Sequence, residues 1–504
     1  MAKHEVRNGA MLSYVLIALN AILGLVVAPY MLRTIGESEY GVYKSIGALT
    51  ASVAVLELGL GGTMQRYIAK FNALKETKRA ENFSAMGLIQ AGILCFVMLC
   101  VCAGLFFTLD GAYGGTFSAA EMHRAKQIFL VQMFYVSFHI FENFLFGVIS
   151  GHNRFVFSNS VKIIALLLKT ILYFVLLPLI SNALVIVGIA LGLELLTITV
   201  EFLFLRFGIG QRIRLHKWEG ALFRESFMYT LLLFVQSLVI QFNGNIDGIV
   251  IGAMIGTSAV TLYSFAITIF NMYEQCAMAV SNVVLPTVTN QIHGGATAKD
   301  MENTVVKFGR AQWIFLGAAL FGIVSCGREF FILWLGKEYL NCWYLSMILI
   351  IPVTFPLVIN VCLAMLKAKN LLLFRTISMI YAVVLNILLT VAGTWLTGEY
   401  WMAAIGTAAS TIIGSCISMN IYYHKKLGLP VTRIYLRIAK RITLCLLLAS
   451  LPCIALNFVI YGSWFSFVLK VAVFLLVYAL GLLTYGLSPA ERESLPFLKR
   501  GKKA

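Results

Sequence analysis

The chain has 504 residues, 60% of them hydrophobic and only 12% charged, with a formal net charge of +17. Soluble domains carry roughly 25% charged residues, so a water-exposed globular fold is excluded and an all-α polytopic membrane protein is expected. A basic excess of this size points either to nucleic acid or to the cytoplasmic loops of a membrane protein, and the positions of the charges decide between them.

A helix that crosses a bilayer needs about 20 apolar residues. The first such run, 10–32, follows Lys3 and Arg7. It is too long for the apolar region of a cleavable signal peptide and reads as an uncleaved first helix. Further runs at 41–61, 85–109, 127–149, 157–180, 183–206 and 226–250 predict six more spans. Those at 259–283, 309–333, 343–366, 373–396, 401–423, 442–461 and 465–487 bring the expected count to about fourteen transmembrane helices. Pro29 lies near the outer end of the first span, and Pro352 and Pro356 interrupt the tenth, where each removes a backbone hydrogen bond and permits a kink.

With both termini placed in the cytoplasm, thirty of the 39 basic residues fall on inner segments, and only Arg33, Arg124, Lys126 and Lys337 fall in outer loops. This asymmetry sets the orientation and accounts for the net charge without a nucleic-acid partner. The longest inner loops, expected near 62–84, 207–225, 284–308 and 424–441, are too short for a soluble domain. No GxxxxGK[ST] loop is present, so the chain carries no P-loop ATPase. Outer loops this small, apart from 110–126, argue against a membrane enzyme. The ten cysteines lie almost all in apolar runs, form no CxxC pair and read as small hydrophobes, so no metal site is expected.

An internal repeat appears at an offset of 220 residues. Ile35-Gly36 with Ser38 and Tyr43 matches Ile255-Gly256 with Ser258 and Tyr263. Six helices per half give two halves of like orientation, one known plan for transporters. The expected organisation is an N-terminal six-helix bundle at 1–206, a second at 207–425, and two additional helices with a basic tail at 426–504.

Charged groups at bilayer depth are costly and face a bundle interior or a watery cavity. Gln132, Tyr135, His139, Glu142 and Asn143 form one stripe at helical spacing in the fourth span. Lys162 and Lys169 share a face in the fifth, and Glu194, Thr197 and Glu201 align in the sixth. Gln236, Asn243 and Asp247 align in the seventh. In the eighth, Thr268, Asn271, Gln275, Met278 and Asn282 align, with Glu274 beside them. Lys44 stands near the outer end of the second span and Glu57 near its inner end. Taken singly, such residues are helix–helix hydrogen bonds, a satisfied histidine, or a packed salt bridge between Lys162 or Lys169 and Glu142 or Glu194. Five stripes on neighbouring helices favour a hydrated cavity instead. Arg328-Glu329 reads as an interfacial pair, and Lys470 either snorkels to the interface or meets a lipid phosphate.

The segments APYMLRTIGESEYGVYKSIGALTASVAVLELGLGGTMQRYIAK (28–70), NGNIDGIVIGAMIGTSAVTLYSFA (243–266) and GREFFILWLGKEY (327–339) resemble the corresponding regions of bacterial polysaccharide flippases. These belong to the multidrug/oligosaccharidyl-lipid/polysaccharide exporter superfamily, and the resemblance runs over about residues 8–425. It implies a V-shaped pair of six-helix bundles with alternating access and an undecaprenyl-pyrophosphate-linked glycan as cargo. It also implies a cationic cavity for the pyrophosphate and a groove for the lipid tail formed by the last two helices. Lys44, Lys162 and Lys169 are the candidate cavity cations. His139, Glu142, Glu194, Asn243, Asp247, Asn271 and Glu274 complete the candidate substrate-binding set. No cofactor is expected beyond coupling to a proton or sodium ion. Membrane lipids and glycan polymerases or glycosyltransferases are the expected partners, in a bacterial cytoplasmic membrane. The alternative is a cation-coupled drug or metabolite exporter of the same superfamily, in which Asp247, Glu142 and Glu194 bind the coupling ion.

Overall fold

The computed structural model describes residues 2–54, 59–293, 297–369, 371, 373–488 and 491–492. At 2–4, 6–7, 10, 232–243, 278–287, 289–290, 293 and 368 it describes the backbone alone. The described residues are mostly helical, with non-helical connections such as 210–219, and no strand occurs among them. Eleven helices among them are long and apolar enough to cross a membrane. The expected span 41–61 includes residues outside the description, and 226–250 and 259–283 fall on helices whose side chains are described only in part. The chain is a multi-pass membrane protein.

Two compact units divide the chain. The first holds Met1–Ser264 and Thr394–Tyr400. It contains α1 (Ala2–Ile35), α2 (Glu37–Val53), α3 (Leu60–Ala73), α4 (Thr77–Tyr113), α5 (Ala119–Gly151), α6 (Phe155–Leu176), α7 (Ala183–Leu203) and α8 (Gly220–Met254). The first turns of α9 (Thr257–His293) also belong to it. The second unit holds Phe265–Gly393 and Trp401–Ala504. It contains the rest of α9, then α10 (Ala298–Leu335), α11 (Asn341–Val358), α12 (Val361–Ala368) and most of α13 (Leu373–Thr397). α14 (Trp401–Ser410), α15 (Met419–Leu427), α16 (Val431–Leu456) and α17 (Trp464–Gly481) complete it.

Much of the sequence expected as inner loop is helical. α3 occupies most of the first half of the expected loop 62–84, and α4 begins at Thr77. α3 buries Leu60, Met64, Tyr67, Ile68 and Phe71, a stripe at helical period, while Gln65 and Lys70 keep its other face polar. α9 runs to His293 and α10 starts at Ala298, capped by Thr297, whose side chain receives the Asp300 N–H. The apolar count that marks a bilayer crossing ends before these helices do.

The two glycines of the 220-residue repeat both stand at turns between helices. Gly36 (φ +83°) separates α1 from α2, and Gly256 (φ +125°) separates α8 from α9. Both positions lie in the region open mainly to glycine. The two turns meet at Glu121, whose Oε1 accepts from Ser38 Oγ at 2.6 Å and from Thr257 Oγ1 at 2.8 Å. In the tenth expected span, Pro352 and Pro356 lie inside α11, and the helix stops at Val358 before α12 restarts at Val361.

Two readings of the sequence are corrected in the second unit. Glu329 pairs with Lys470 at 2.7 Å, each side chain being 1% exposed, and not with its neighbour Arg328. Glu329 also accepts from the Gly462 N–H at 2.8 Å and from the Ser466 hydroxyl. Lys470 therefore neither snorkels nor meets a lipid phosphate: its charge is buried because a carboxylate with two further donors receives it.

Candidate functional site

Three helices of the first unit bring their polar stripes to one place. His139 and Glu142 are three residues apart on α5, Lys162 and Lys169 seven apart on α6, and Glu194 and Thr197 three apart on α7. The spacings put each pair on one helical face. Together with Asn20 of α1 and Tyr135 they line a cavity of about 280 Å³.

Opposite charges meet across it. Lys162 Nζ lies 2.9 Å from Glu142 Oε1, and His139 Nδ1 lies 2.8 Å from Glu194 Oε1 and 3.8 Å from Glu142 Oε2. Glu142 is 2% exposed, whereas Lys162 keeps 29% of its side chain accessible. Lys162 also sits over the Phe146 ring at 4.1 Å, a cation–π contact. Lys169 forms no ion pair among the described residues, and the charge acting on it is that of Glu194. Glu201, fully buried one turn beyond Thr197, joins the same electrostatic group through Glu142, Lys162 and Glu194. The ligand atoms of His139, Glu142 and Glu194 lie within 4.8 Å of one another, close enough to share one cation or one proton.

Five of the ten candidates therefore converge: His139, Glu142, Lys162, Lys169 and Glu194. Lys44 and Asp247 of the same unit do not line this cavity. Lys44 stands over the rings of Tyr40 and Tyr43, at 5.4 and 5.8 Å. Asp247 is buried and accepts the Tyr263 hydroxyl at 2.5 Å, a contact between α8 and α9. Asn271 is exposed and Glu274 half-buried on the part of α9 in the second unit. The side chain of Asn243 and the whole of Glu57 lie outside the described residues. Gln132, on the same stripe as His139, accepts from Thr50 Oγ1 at 2.8 Å and ties α5 to α2.

Asn20 carries no signal in the sequence: it is a lone amide in an apolar run that the fold turns into the cavity wall. Glu201 was visible in the stripe of the sixth span, but its place beside Glu142 needed the packing of α5 on α7.

The second unit contains an apolar groove of about 400 Å³ between α9, α10 and α17, lined by Met272, Tyr273, Gly322, Phe330, Phe474 and Leu475 among others.

A polar cavity held among apolar helices marks a candidate functional site in a membrane protein, and known structures share the fold. The chain is similar to the lipid II flippase MurJ in an inward closed conformation, with 14% identity and a TM-score of 0.69 over 94% of this chain and 97% of that one. It is similar to an inward-facing multidrug resistance MATE family transporter of the MOP superfamily, with 14% identity and a TM-score of 0.61 over 83% and 95% of the two chains. A MOP superfamily transporter from Pyrococcus furiosus aligns with 14% identity and a TM-score of 0.54, over 84% and 97%. No curated protein sequence matches the chain. Residues 6–291 match the family described as "Polysaccharide biosynthesis protein", and the chain belongs to that family.

Proposed function

We propose that the protein flips an undecaprenyl-pyrophosphate-linked oligosaccharide from the inner to the outer leaflet of a bacterial cytoplasmic membrane by alternating access, with both termini in the cytoplasm. The observation that carries this reading is the cavity of the first unit, where Lys162 and Lys169 face a group of carboxylates in a chain of the polysaccharide family. A sugar head group with a pyrophosphate cannot enter hydrocarbon unaided. Two ammonium groups about 10 Å apart along α6 offer it a counter-charge. In the resting state Glu142 pairs with Lys162 while Glu194, paired with His139, acts on Lys169 without an ion pair, and the anionic ligand competes with these carboxylates, so that binding is reversible. The apolar groove against α17 takes the lipid tail. The close approach of His139, Glu142 and Glu194 fits uptake of a proton or sodium ion, which supplies a driving force in a chain without a P-loop. A glycan polymerase or glycosyltransferase is the expected neighbour in the pathway.

The acidic side of the same cluster supports a second reading, a cation-coupled drug or metabolite exporter. The two separate on Lys169, which a flippase needs for its anion and an exporter of organic cations does not. In cells lacking the native protein, Lys169→Ala should reduce glycan export about tenfold or more at unchanged membrane abundance, and Lys169→Arg should retain part of the activity. Normal export by Lys162→Ala/Lys169→Ala protein at normal abundance ends the proposal.

A further inference from the structure

The second unit contains a charged cavity of its own. Lys307 and Arg310 are one turn apart on α10, and Arg437, Lys440 and Arg441 share one face of α16. α10 and α16 pack on each other, and these five cations line a cavity of about 690 Å³ together with Glu491. Arg310 is 8% exposed. Its Nε and Nη2 donate to the two Glu491 carboxylate oxygens at 2.7 and 2.9 Å, and Nη2 also donates to the Gly486 carbonyl at 2.8 Å. Burial pushes the Glu491 carboxyl up, but the hydrogen bonds from Arg310 and Ser488 outweigh it and hold the group below the ordinary carboxylate value. Arg437 is paired with Glu302 at 2.5 Å. Lys307, Lys440 and Arg441 remain exposed, with no ion pair among the described residues.

The depth of this cavity follows from helix geometry. Arg310 and Glu329 both lie on α10, and at about 1.5 Å per residue the stretch between them spans about 28 Å. Lys470 and Ser488 bracket a similar length of chain through α17 and the turn after it. The hydrocarbon core is about 30 Å thick. With the Glu329–Lys470 clasp at one face of the bilayer, the basic cavity stands at the other, level with the headgroups. Leu444 and Leu448 continue the Arg437–Arg441 face of α16 and are exposed, so an acyl chain has an apolar track directly beyond the cations.

We propose that this cavity binds the phosphate headgroup of an anionic phospholipid, with Lys307, Lys440 and Arg441 as its free cations and Arg310, clamped by Glu491, as its floor. Basic pockets between transmembrane helices at the membrane surface have the chemistry for such headgroups. Free inorganic phosphate shares the headgroup chemistry but makes no use of the leucine track. Basic residues that serve topology alone need no cavity, and Lys425, Lys426 and Arg433 on the same end of the unit provide that control.

The test is native mass spectrometry of the full chain in detergent with added phosphatidylglycerol or phosphatidylcholine. The wild type should retain phosphatidylglycerol in preference. Each cation near a membrane surface contributes roughly a fivefold factor, so Lys307→Ala/Lys440→Ala/Arg441→Ala should weaken that retention on the order of a hundredfold. Lys425→Ala/Lys426→Ala/Arg433→Ala should leave it within about twofold, at the scale of ordinary screening effects. If the triple cavity variant does not accumulate, Lys440→Glu alone should weaken retention in the same direction. Equal loss in both triple variants, or no loss in the cavity variants, would overturn the proposal. So would displacement of the lipid by millimolar inorganic phosphate, which would assign the cavity to the free anion.

Discussion

Lys162 and Glu142 show how a charge is kept at bilayer depth. The carboxylate is almost fully buried, and beyond the lysine no hydrogen-bond donor reaches it among the described residues. Removing one partner of a buried pair leaves an uncompensated charge, which costs about 3–5 kcal/mol, whereas removing both is far milder. Lys162→Ala should therefore lower the thermal unfolding midpoint of the detergent-solubilised protein, and Lys162→Ala/Glu142→Gln should recover most of it. Equal midpoints for Lys162→Ala and wild type would show that the pair is not a coupled unit. At this scale the sequence was legible where stripes ran at helical period: His139, Glu142, Lys162, Lys169 and Glu194 were all visible as such. Lys470 was misread because nothing local to it marks Glu329, more than a hundred residues earlier, as its partner. Asp247 stood in a stripe of the seventh span, yet its hydroxyl partner Tyr263 comes from the next helix.

The elements of the first unit are held close by glycine. A Cβ on Gly147 of α5 would lie 2.4 Å from the Gly61 carbonyl of α3, and one on Gly151 would lie 2.7 Å from Ile68 Cβ. Small residues four apart let two helix backbones approach in a membrane protein, where van der Waals packing replaces the hydrophobic drive. Gly147→Val should push α3 from α5 and destabilise the unit by roughly 1–3 kcal/mol, the usual range for overpacking. Gly92→Ala, at a site with open space around its Cβ position, is the control and should leave the midpoint unchanged. A Gly147→Val midpoint equal to that of the control would contradict the close contact. Element boundaries were the least legible feature. Hydropathy marks the segment of a helix that lies in hydrocarbon, whereas backbone hydrogen bonding carries α9 and α10 well past it. The turns at Gly36 and Gly256 were legible because an unusual φ demands a particular residue.

On the scale of the molecule, family membership and the run of apolar helices establish a multi-pass membrane protein of the polysaccharide biosynthesis family, while the proposed transport role and its cargo rest on the chemistry of one cavity. The sign of that cavity is mixed: two lysines offer an anion its counter-charge, and His139, Glu142 and Glu194 offer a cation or proton its ligands. A flippase uses both, with the carboxylates as stand-ins for the pyrophosphate; a cation exporter uses the acids alone. That Lys44 and Asp247 do not line this cavity was not legible in the sequence, since periodicity assigns a residue to a face and not a face to a neighbour. The most direct measurement of the central claim uses the purified protein in liposomes that carry a fluorescent undecaprenyl-pyrophosphate-linked oligosaccharide in both leaflets. A membrane-impermeant quencher reports on the fraction that reaches the outside. The account predicts that wild-type protein exposes the inner-leaflet pool and that Lys169→Ala protein leaves it protected. Equal protection with wild-type protein and with empty liposomes, across imposed proton and sodium gradients, would contradict it.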